Sequence, residues 1–250
     1  MWPSSFYVSA FLLVAVHAAS LKKASDYFEI CHTSDPKFNE CVANTLIKLR
    51  GKLMKGIPSL NLLPIDPLEV EKMELRQGSG ENFHIYQKLT DLKVYGLSNY
   101  SIDNFKFDYK KKQLNQTLSF PLVKLDGAYE IDGKILILPI NGKGNVTYTC
   151  RNVTIDSIIT FERFEKNKER YIRIKDYKIH IQPQHAEIHF TNLFNGDKRL
   201  GDAMNTFLNN NWKEAFESYR ELPEKAFADL MKIHMNRVYT KFPENEIFPE

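Results

Sequence analysis

The fold is decided by residues 200–239, which have the sequence LGDAMNTFLNNNWKEAFESYRELPEKAFADLMKIHMNRVY. Apolar residues recur there at every third or fourth position, which places them on one face of a helix. The stripe consists of Leu200, Ala203, Met204, Phe207, Leu208, Trp212, Ala215, Phe216, Tyr219, Leu222, Ala226, Phe227, Leu230, Ile233 and Val238. Pro223 removes a backbone donor and crowds the preceding turn, so we expect a kink or two helices meeting there. A stripe this long requires an extended partner that covers it.

That partner is predicted in residues 70–190, where apolar and polar residues alternate with the period of β-strands. Glycine-containing turn signals stand between the runs, at residues 77–80, 126–127, 132–133, 141–142 and 195–196. The apolar parity changes between Cys150 and Val153, which predicts a bulge or bend at residues 151–152. Residues 135–140 are apolar at almost every position, which predicts a strand covered on both faces.

The segment before the strands predicts a shorter helix. Asp35 and Pro36 provide a capping carboxylate and a proline for the first turn, and Gly56 marks the end. Residues 56–68 contain three prolines and predict an extended, half-buried strap. The predicted fold class is therefore α+β, with a strongly curved antiparallel β-sheet wrapped around a long C-terminal α-helix and a shorter N-terminal helix. A sandwich with a detached helical domain is the alternative.

The N-terminus predicts a targeting segment. Residues 6–19 are apolar apart from Ser9 and His17 and end in small residues, which indicates a signal peptide at residues 1–19. An uncleaved anchor is the competing interpretation, but the run is shorter than the ~20 residues a membrane span needs. We expect a secreted protein with one domain at residues 20–250. The sequons at Asn99, Asn115, Asn145 and Asn152 agree with a secretory route and predict strand-edge or loop positions.

The chain has 3 cysteines. Cys31 and Cys41 are close in sequence and belong to a compartment that favours disulfides, so we predict that they pair. The remaining Cys150 shares a strand face with Val146 and Tyr148, which favours a buried free thiol over a catalytic nucleophile.

Charge and motifs exclude several function classes. The 34 basic and 31 acidic residues give a net charge of +3, without the basic excess of a nucleic-acid-binding protein. His185, Glu187 and His189 have metal-ligand residue types, but a strand period places all three on the solvent side, so we predict no metal site. Sequence motifs for a catalytic nucleophile, a cofactor or a phosphate loop are absent. We therefore predict neither an enzyme nor a cofactor.

Large apolar side chains are the remaining signal. The chain contains 17 Phe, 12 Tyr and 6 Met. A helix stripe bearing Phe207, Trp212 and Phe216 against an aromatic sheet is compatible with a packed core. It is also compatible with a curled sheet that encloses an apolar cavity, although a packed core is the default for most of these residues. Composition does not separate these interpretations.

Ordered motifs along the chain resemble the insect takeout and juvenile-hormone-binding family. They are CHTSDPKFNEC at residues 31–41, the strap at residues 56–68, GLS at 96–98, GAY at 127–129, GKILILPINGKG at 133–144 and LNNNW at 208–212. The resemblance covers essentially the whole predicted mature chain and indicates a takeout-like member of the wider tubular lipid-binding superfamily.

The resemblance implies a secreted extracellular carrier with an internal tunnel for an elongated apolar ligand such as a terpenoid or fatty acid. Such proteins are linked to circadian, feeding or hormone signalling. Takeout-like members are expected to have one disulfide, and the hormone carriers have a second, for which this chain offers only Cys150. Tyr148 is the expected ligand-contacting phenol by motif offset. The full candidate set is Tyr129, Ile137, Leu138, Tyr148, Met204, Phe207, Leu208, Trp212 and Phe216.

Two other functions compete with the carrier. One is a secreted esterase acting on similar ligands, which the missing nucleophile motif disfavours. The other is a membrane-surface protein that uses the long helix to bind lipid. We expect a monomer that binds a small hydrophobic ligand, without nucleic acid and without stable membrane insertion.

Overall fold

The computed structural model describes residues 22–80, 83–135 and 138–250. The predicted signal peptide at residues 1–19 lies outside these ranges. The helices are α1 (Phe38–Lys55), α2 (Lys198–Asn210), α3 (Trp212–Tyr219), α4 (Glu221–Tyr239) and α5 (Glu244–Ile247). The strands are β1 (Leu68–Gly80), β2 (Phe83–Tyr95), β3 (Ser101–Asp108), β4 (Gln113–Ile135), β5 (Leu138–Lys166) and β6 (Glu169–Phe190).

The strands form one antiparallel sheet in the order β1-β2-β4-β5-β6, and β3 pairs with β4 outside this path. The length of β4 allows residues 113–119 to pair with β3 and residues 124–133 to pair with β2. Helices α2 to α4 pack along β6, and α4 also contacts β1. The helices therefore join the two edges of a strongly curved sheet, which confirms the predicted fold class.

In three neighbouring strands, the residues that face the interior change from even to odd positions, or from odd to even. These changes lie side by side, in one row across the sheet. The interior residues flanking this row are Phe120 and Val123 in β4, Cys150 and Val153 in β5, and Ile181 and Ala186 in β6. The pairing register is unchanged across the row. The irregularity predicted at residues 151–152 is present as a positive φ of 45° at Asn152. A bulge in one strand is the wrong description, because all three strands change parity together.

The predicted long helix is three consecutive helices. The junction between α3 and α4 falls at Arg220, three residues before Pro223. Proline has no N–H to bond the carbonyl of Tyr219, so the break predicted near Pro223 is confirmed. The break at Asn211, with φ −118° and ψ 30°, was not predicted. The stripe is also less covered than expected, because Leu200 is 45% exposed and Ile233 is 54% exposed.

Side chains on the helices pair with the free backbone edge of β6. Asn205 bonds both the N–H and the C=O of Phe190, and Asn209 does the same for Ile188. Four helical residues rise about 6.0 Å and two strand residues about 6.6 Å, so neighbouring helical turns match alternate strand residues. Further along, Asn236 bonds both groups of Ile174, and Glu224 accepts the N–H of Ile181. The helices therefore run antiparallel to β6 and satisfy its edge.

Three predicted turns are wrong, because residues 126–127, 132–133 and 141–142 lie inside strands β4 and β5. Gly127 is needed for close strand approach, since an added Cβ would lie 3.1 Å from both the Cα of Leu92 and the carbonyl oxygen of Thr90. The predicted strand over residues 135–140 is also wrong. Ile135 ends β4 and pairs with Leu138, which begins β5, so the chain reverses within that segment.

The N-terminal helix begins later than predicted. Phe38 is its first residue, while the Asp35 carboxylate accepts the N–H of Lys37 at 2.7 Å in the preceding turn. The predicted end is confirmed, since Gly56 follows α1 with a φ of 77°. The strap is more compact than expected, because Pro58–Leu60 form one turn of 3-10 helix, which proline tolerates at its start.

The C-terminal segment is held by a buried carboxylate. Glu244 is 2% exposed and accepts a hydrogen bond from the Tyr109 hydroxyl. The Nε atoms of Arg163 and Arg170 lie 2.6 and 2.5 Å from its oxygens. These contacts fasten α5 to strands β5 and β6 and to the turn after β3. The segment therefore packs near the end of the sheet at which β5 and β6 are joined.

Candidate functional site

The curved sheet and helices α3 and α4 enclose an inner chamber of about 270 Å³. Strands β1, β2, β4, β5 and β6 each supply wall residues. Representative residues are Met73, Leu89, Leu125, Ile188 and Phe216. The described wall contains no charged side chain. The interior therefore contains an apolar cavity, so the packed-core interpretation is wrong for this part of the molecule.

The inner chamber contains a hydrogen-bonded phenol. The Gln87 side-chain amide donates to the Tyr148 hydroxyl at 2.6 Å, and Gln87 is 4% exposed. Burial raises the pKa of Tyr148 well above its ordinary value, although the bond from Gln87 lowers it in part. Tyr148 therefore keeps its proton, while one of its lone pairs is occupied by Gln87. Among the described residues no acceptor for that proton is seen, so Tyr148 is free to donate to an oxygen atom in the chamber.

Two more polar groups lie in the same wall. Burial raises the pKa of the Cys150 thiol to about 11. Burial also raises the pKa of Tyr219 well above its usual range, and the neighbouring Tyr148 and Cys150 add to the effect. All three groups are uncharged near neutral pH. The chamber thus presents neutral donors within an apolar wall.

A second, outer chamber of about 280 Å³ lies between α1, the strap, α4 and the C-terminal segment. Its wall includes Leu49, Leu60, Met235 and Phe248, together with the disulfide residue Cys31. The predicted disulfide is present, since Cys31 and Cys41 are bonded with Cα atoms 5.8 Å apart. The disulfide therefore ties the segment before α1 to the helix beside this chamber.

The two chambers share part of their walls. Ile65 from the strap, Tyr177 from β6 and Met231 from α4 line both of them. Burial raises the pKa of Tyr177, which therefore stays neutral. The expected tunnel corresponds to two adjacent apolar chambers that share these three side chains.

The structure distributes the predicted ligand residues over several environments. Tyr148 and Phe216 line the inner chamber, and Leu208 joins Tyr148 around a small recess of about 10 Å³. Tyr129, Met204, Phe207 and Leu138 belong to or pack against the core and line neither chamber. Ile137 lies outside the described residues.

The position of Trp212 differs most clearly from the prediction. The expectation was a side chain fully covered by the sheet, but Trp212 is only partly buried. Its ring meets the exposed His185 ring edge-on, with centroids 5.7 Å apart, and it lines neither chamber. Met204, Leu208 and Ala215 are buried at helical spacing on both sides of Asn211, and Trp212 lies beside this row rather than in it.

Several chamber residues were not predicted from the sequence. Gln87 stands between Ile85 and Leu89 on the inward face of β2, and a polar residue at an inward strand position was the available signal. Tyr219 was grouped with the apolar stripe without notice of its hydroxyl. Pro223 was considered only as a helix breaker, yet it lines the inner chamber.

Other predicted sites have simple positions. His185, Glu187 and His189 are all exposed, as the strand period predicted. Residues 22–80, 83–135 and 138–250 contain no cluster of three metal-ligating side chains. Asn99 lies in a loop, but Asn115, Asn145 and Asn152 lie within β4 and β5, so the predicted loop or edge context is wrong for these three. None of the described helices is both long and apolar enough to span a membrane.

A family model described as haemolymph juvenile hormone binding protein matches residues 10–249. The chain belongs to this family. The circadian clock-controlled protein daywake of Drosophila melanogaster is 29% identical over 201 residues, covering 77% of each protein. Daywake of Drosophila yakuba is 26% identical over 201 residues, covering 78% of this chain and 77% of the relative.

A solved structure supports the same assignment. The crystal structure of Epiphyas postvittana Takeout 1 is 27% identical, with a TM-score of 0.76. The alignment covers 89% of this chain and 100% of Takeout 1. The resemblance to a takeout-like member is thereby confirmed, together with the curved sheet and C-terminal helices.

Proposed function

We propose that this protein is a secreted, non-enzymatic carrier that holds a neutral, oxygen-bearing lipid in its inner chamber. The observation that carries the proposal is the Tyr148 hydroxyl, which is free to donate inside a wall without described charged side chains. Apolar burial at roughly 25 cal/mol per Å² provides the driving force. One donor among apolar walls fixes the orientation of a carbonyl, epoxide or hydroxyl oxygen.

The same wall disfavours an ionised ligand. A carboxylate in this chamber would lose its hydration without meeting a described cation, and such desolvation is costly. A terpenoid with an ester, ketone or epoxide meets both requirements. The family name points to juvenile hormone, but the proposal is restricted to this chemical class.

Binding is favoured over catalysis by the state of Cys150. Its pKa of about 11 keeps the thiol protonated, whereas a nucleophile acts as thiolate. Cys150 therefore serves as an apolar wall residue, and the esterase alternative gains no support from it.

We extend the proposal to the route and form of the protein. Residues 1–19 are removed during secretion, and residues 20–250 form the mature, monomeric domain. The Cys31–Cys41 disulfide and the four sequons support an oxidising, extracellular location. N-terminal sequencing, glycosidase treatment and light scattering of the protein from insect-cell medium test these points. Retention in the cells with an intact N-terminus would contradict secretion.

A role in timed signalling is part of the same proposal. The two Drosophila relatives are named as circadian clock-controlled proteins. If this chain follows them, its transcript should oscillate through a light–dark cycle and persist in constant darkness. A flat time course would remove this part while leaving ligand binding untouched.

Ligand binding is tested with delipidated protein and a fluorescent apolar probe, displaced by a neutral terpenoid epoxide. Tyr148→Phe should weaken the epoxide by about 0.5–1.5 kcal/mol, the net contribution of one hydrogen bond. The parent hydrocarbon should bind wild type and variant equally.

Tyr129→Phe is the matched control. The Tyr129 hydroxyl donates to the Thr191 carbonyl at 2.7 Å and lines neither chamber, so its loss should leave both affinities unchanged. If the folded wild type takes up no apolar probe after delipidation, the carrier proposal is wrong.

A further inference from the structure

The outer chamber differs chemically from the inner one, because its wall contains an unsatisfied acceptor. His234 of α4 is 8% exposed and lines this chamber. Its Nδ1 lies 3.0 Å from the carbonyl oxygen of Leu230. A carbonyl only accepts, so Nδ1 carries the proton and Nε2 carries a lone pair in the neutral ring. That buried Nε2 has no hydrogen-bond partner among the described residues.

An orphan buried acceptor is costly, since it has lost water without gaining a donor. Most buried polar atoms in proteins have a partner, so an exception calls for an explanation. A ligand that brings its own donor into the chamber would supply one. Water is a weak alternative where most of the lining is apolar, because a buried water needs several polar partners.

Two hydroxyls complement His234 in the same wall. Thr45 of α1 is buried, and its hydroxyl lies 3.7 Å from the disulfide sulfur of Cys31, a weak partner. Tyr239 of α4 also lines the chamber, and burial raises its pKa to about 12, so it keeps its proton. Hydroxyls that donate and a nitrogen that accepts, in the wall of one chamber, suit a head group that does both.

The charged residue at this chamber does not compete for that role. Glu29 is the acidic residue in its described wall. Its carboxylate lies 2.5 Å from the Lys48 ammonium, and both side chains are at least half exposed. The pair is therefore neutralised at the surface, and His234 remains the unsatisfied group inside.

We propose that the outer chamber is a second binding site for an apolar chain whose terminal O–H group donates to Nε2 of His234. A carboxylic acid in its protonated form and an alcohol share this chemistry, whereas an ester of the same chain lacks the donor. The inner chamber selects the opposite property, because Tyr148 donates to an acceptor. This inference rests on the proposed carrier function and assigns a distinct ligand class to the second chamber.

The test uses dodecanoic acid, dodecanol and methyl dodecanoate, which share one chain and differ in the head. Delipidated full-length mature protein carrying ¹⁵N-labelled histidine is titrated with each probe. The His234 signal is the one missing from the spectrum of His234→Gln. Acid and alcohol should shift its Nε2 resonance, and the ester should not. Transfer of the acid proton would give a larger shift than the alcohol and would identify the carboxylic acid as the preferred head.

Calorimetry on His234→Phe provides the second measurement. A planar aromatic ring is retained, although it is larger, and the acceptor is lost, so acid and alcohol should bind about fivefold more weakly while the ester is unchanged. Tyr129→Phe is the control, because Tyr129 lines neither chamber, and it should leave the acid affinity unchanged. If His234→Phe fails to fold, the wild-type resonance shifts decide alone.

Equal shifts with all three probes, or no shift at saturating acid, would overturn the second site. The epoxide titration on Tyr148 separates this failure from that of the carrier. If epoxide binding depends on Tyr148 but the His234 resonance does not shift with any probe, only the proposal of a second site is wrong. Absence of binding by every probe removes both proposals.

Discussion

The inner and outer chambers are similar in volume but are built in different ways. The inner wall consists mainly of strands joined by continuous ladders, and β4 and β5 pair from Gln113 with Thr160 to Ile135 with Leu138. The outer wall is assembled from α1, the strap, α4 and the C-terminal segment, which come from distant parts of the chain. Individual contacts hold that assembly, among them the Cys31–Cys41 disulfide and the Glu244 cluster.

The two cavities are therefore stabilised by different interactions, backbone ladders in one and a few buried side-chain contacts in the other. A strand ladder distributes its stabilisation over many equivalent backbone bonds, so no single side chain is decisive. An assembly of separate segments depends on a few buried groups, each of which costs several kcal/mol to break. We therefore expect single substitutions to disturb the outer region more than the inner one.

The largest expected effect is at Glu244. Glu244→Gln removes the buried charge that faces Arg163 and Arg170 and should lower the free energy of unfolding by roughly 3 kcal/mol. Urea denaturation measures the loss. If the chambers are independent, the Tyr148-dependent epoxide affinity of the folded protein should be unchanged. An equal loss of that affinity would show that the two regions behave as one unit.

The pH dependence of this variant sharpens the same point. Burial alone would raise the pKa of Glu244, but the bonds from Tyr109 and Arg163 and the charges of Arg163 and Arg170 outweigh it and lower the pKa. The folded-state pKa lies below that of the unfolded chain, so the stabilisation is complete above the unfolded value. It is lost as the pH falls through the folded value. Wild type should lose more stability than Glu244→Gln on acidification below about pH 4.5.

An intermediate effect is expected where the helix asparagines bond the backbone edge of β6. Asn209→Leu removes the amide that bonds the N–H and C=O of Ile188, which should cost roughly 2 kcal/mol. Asn210→Leu is the matched control, because Asn210 is the exposed neighbour in the same helix. Thermal unfolding of both variants gives the comparison. Equal transition temperatures would mean that water replaces the hydrogen bonds to Ile188 without loss of stability.

The smallest effect is expected at Trp212. Its partial burial beside the exposed His185 predicts a loss of about 1 kcal/mol for Trp212→Asp. Leu208→Asp, at a fully buried position one helical turn earlier, should cost several times more. Denaturant titration of the two variants distinguishes the positions. Similar losses of unfolding free energy would show that Trp212 belongs to the core.

The predictable parts of the fold are those governed by local periodicity. Strand alternation identified most of residues 70–190 as sheet, and the proline rule located the break before Pro223. Glycine pairs misled because Gly127 serves close strand packing as well as turns. The break at Asn211 had no local signal comparable to proline.

The candidate sites show the same limit. Tyr148 was expected from motif position, and the structure places it in the inner chamber. Gln87, Tyr177 and His234 were not selected, because their roles depend on which distant segment each side chain meets. The unsatisfied Nε2 of His234 in particular is a property of the assembled outer wall. Sequence periodicity carries no information about such tertiary partners.

The asparagine pairing along β6 has a consequence for behaviour at high concentration. A bare strand edge is a template on which another chain can add a strand, and soluble proteins protect such edges. Here Asn205, Asn209 and Asn236 occupy the donors and acceptors that an incoming strand would use. The helices thus prevent a second molecule from adding a strand to this edge. Loss of these amides should favour self-association in concentrated solution, in addition to the stability lost by a single molecule.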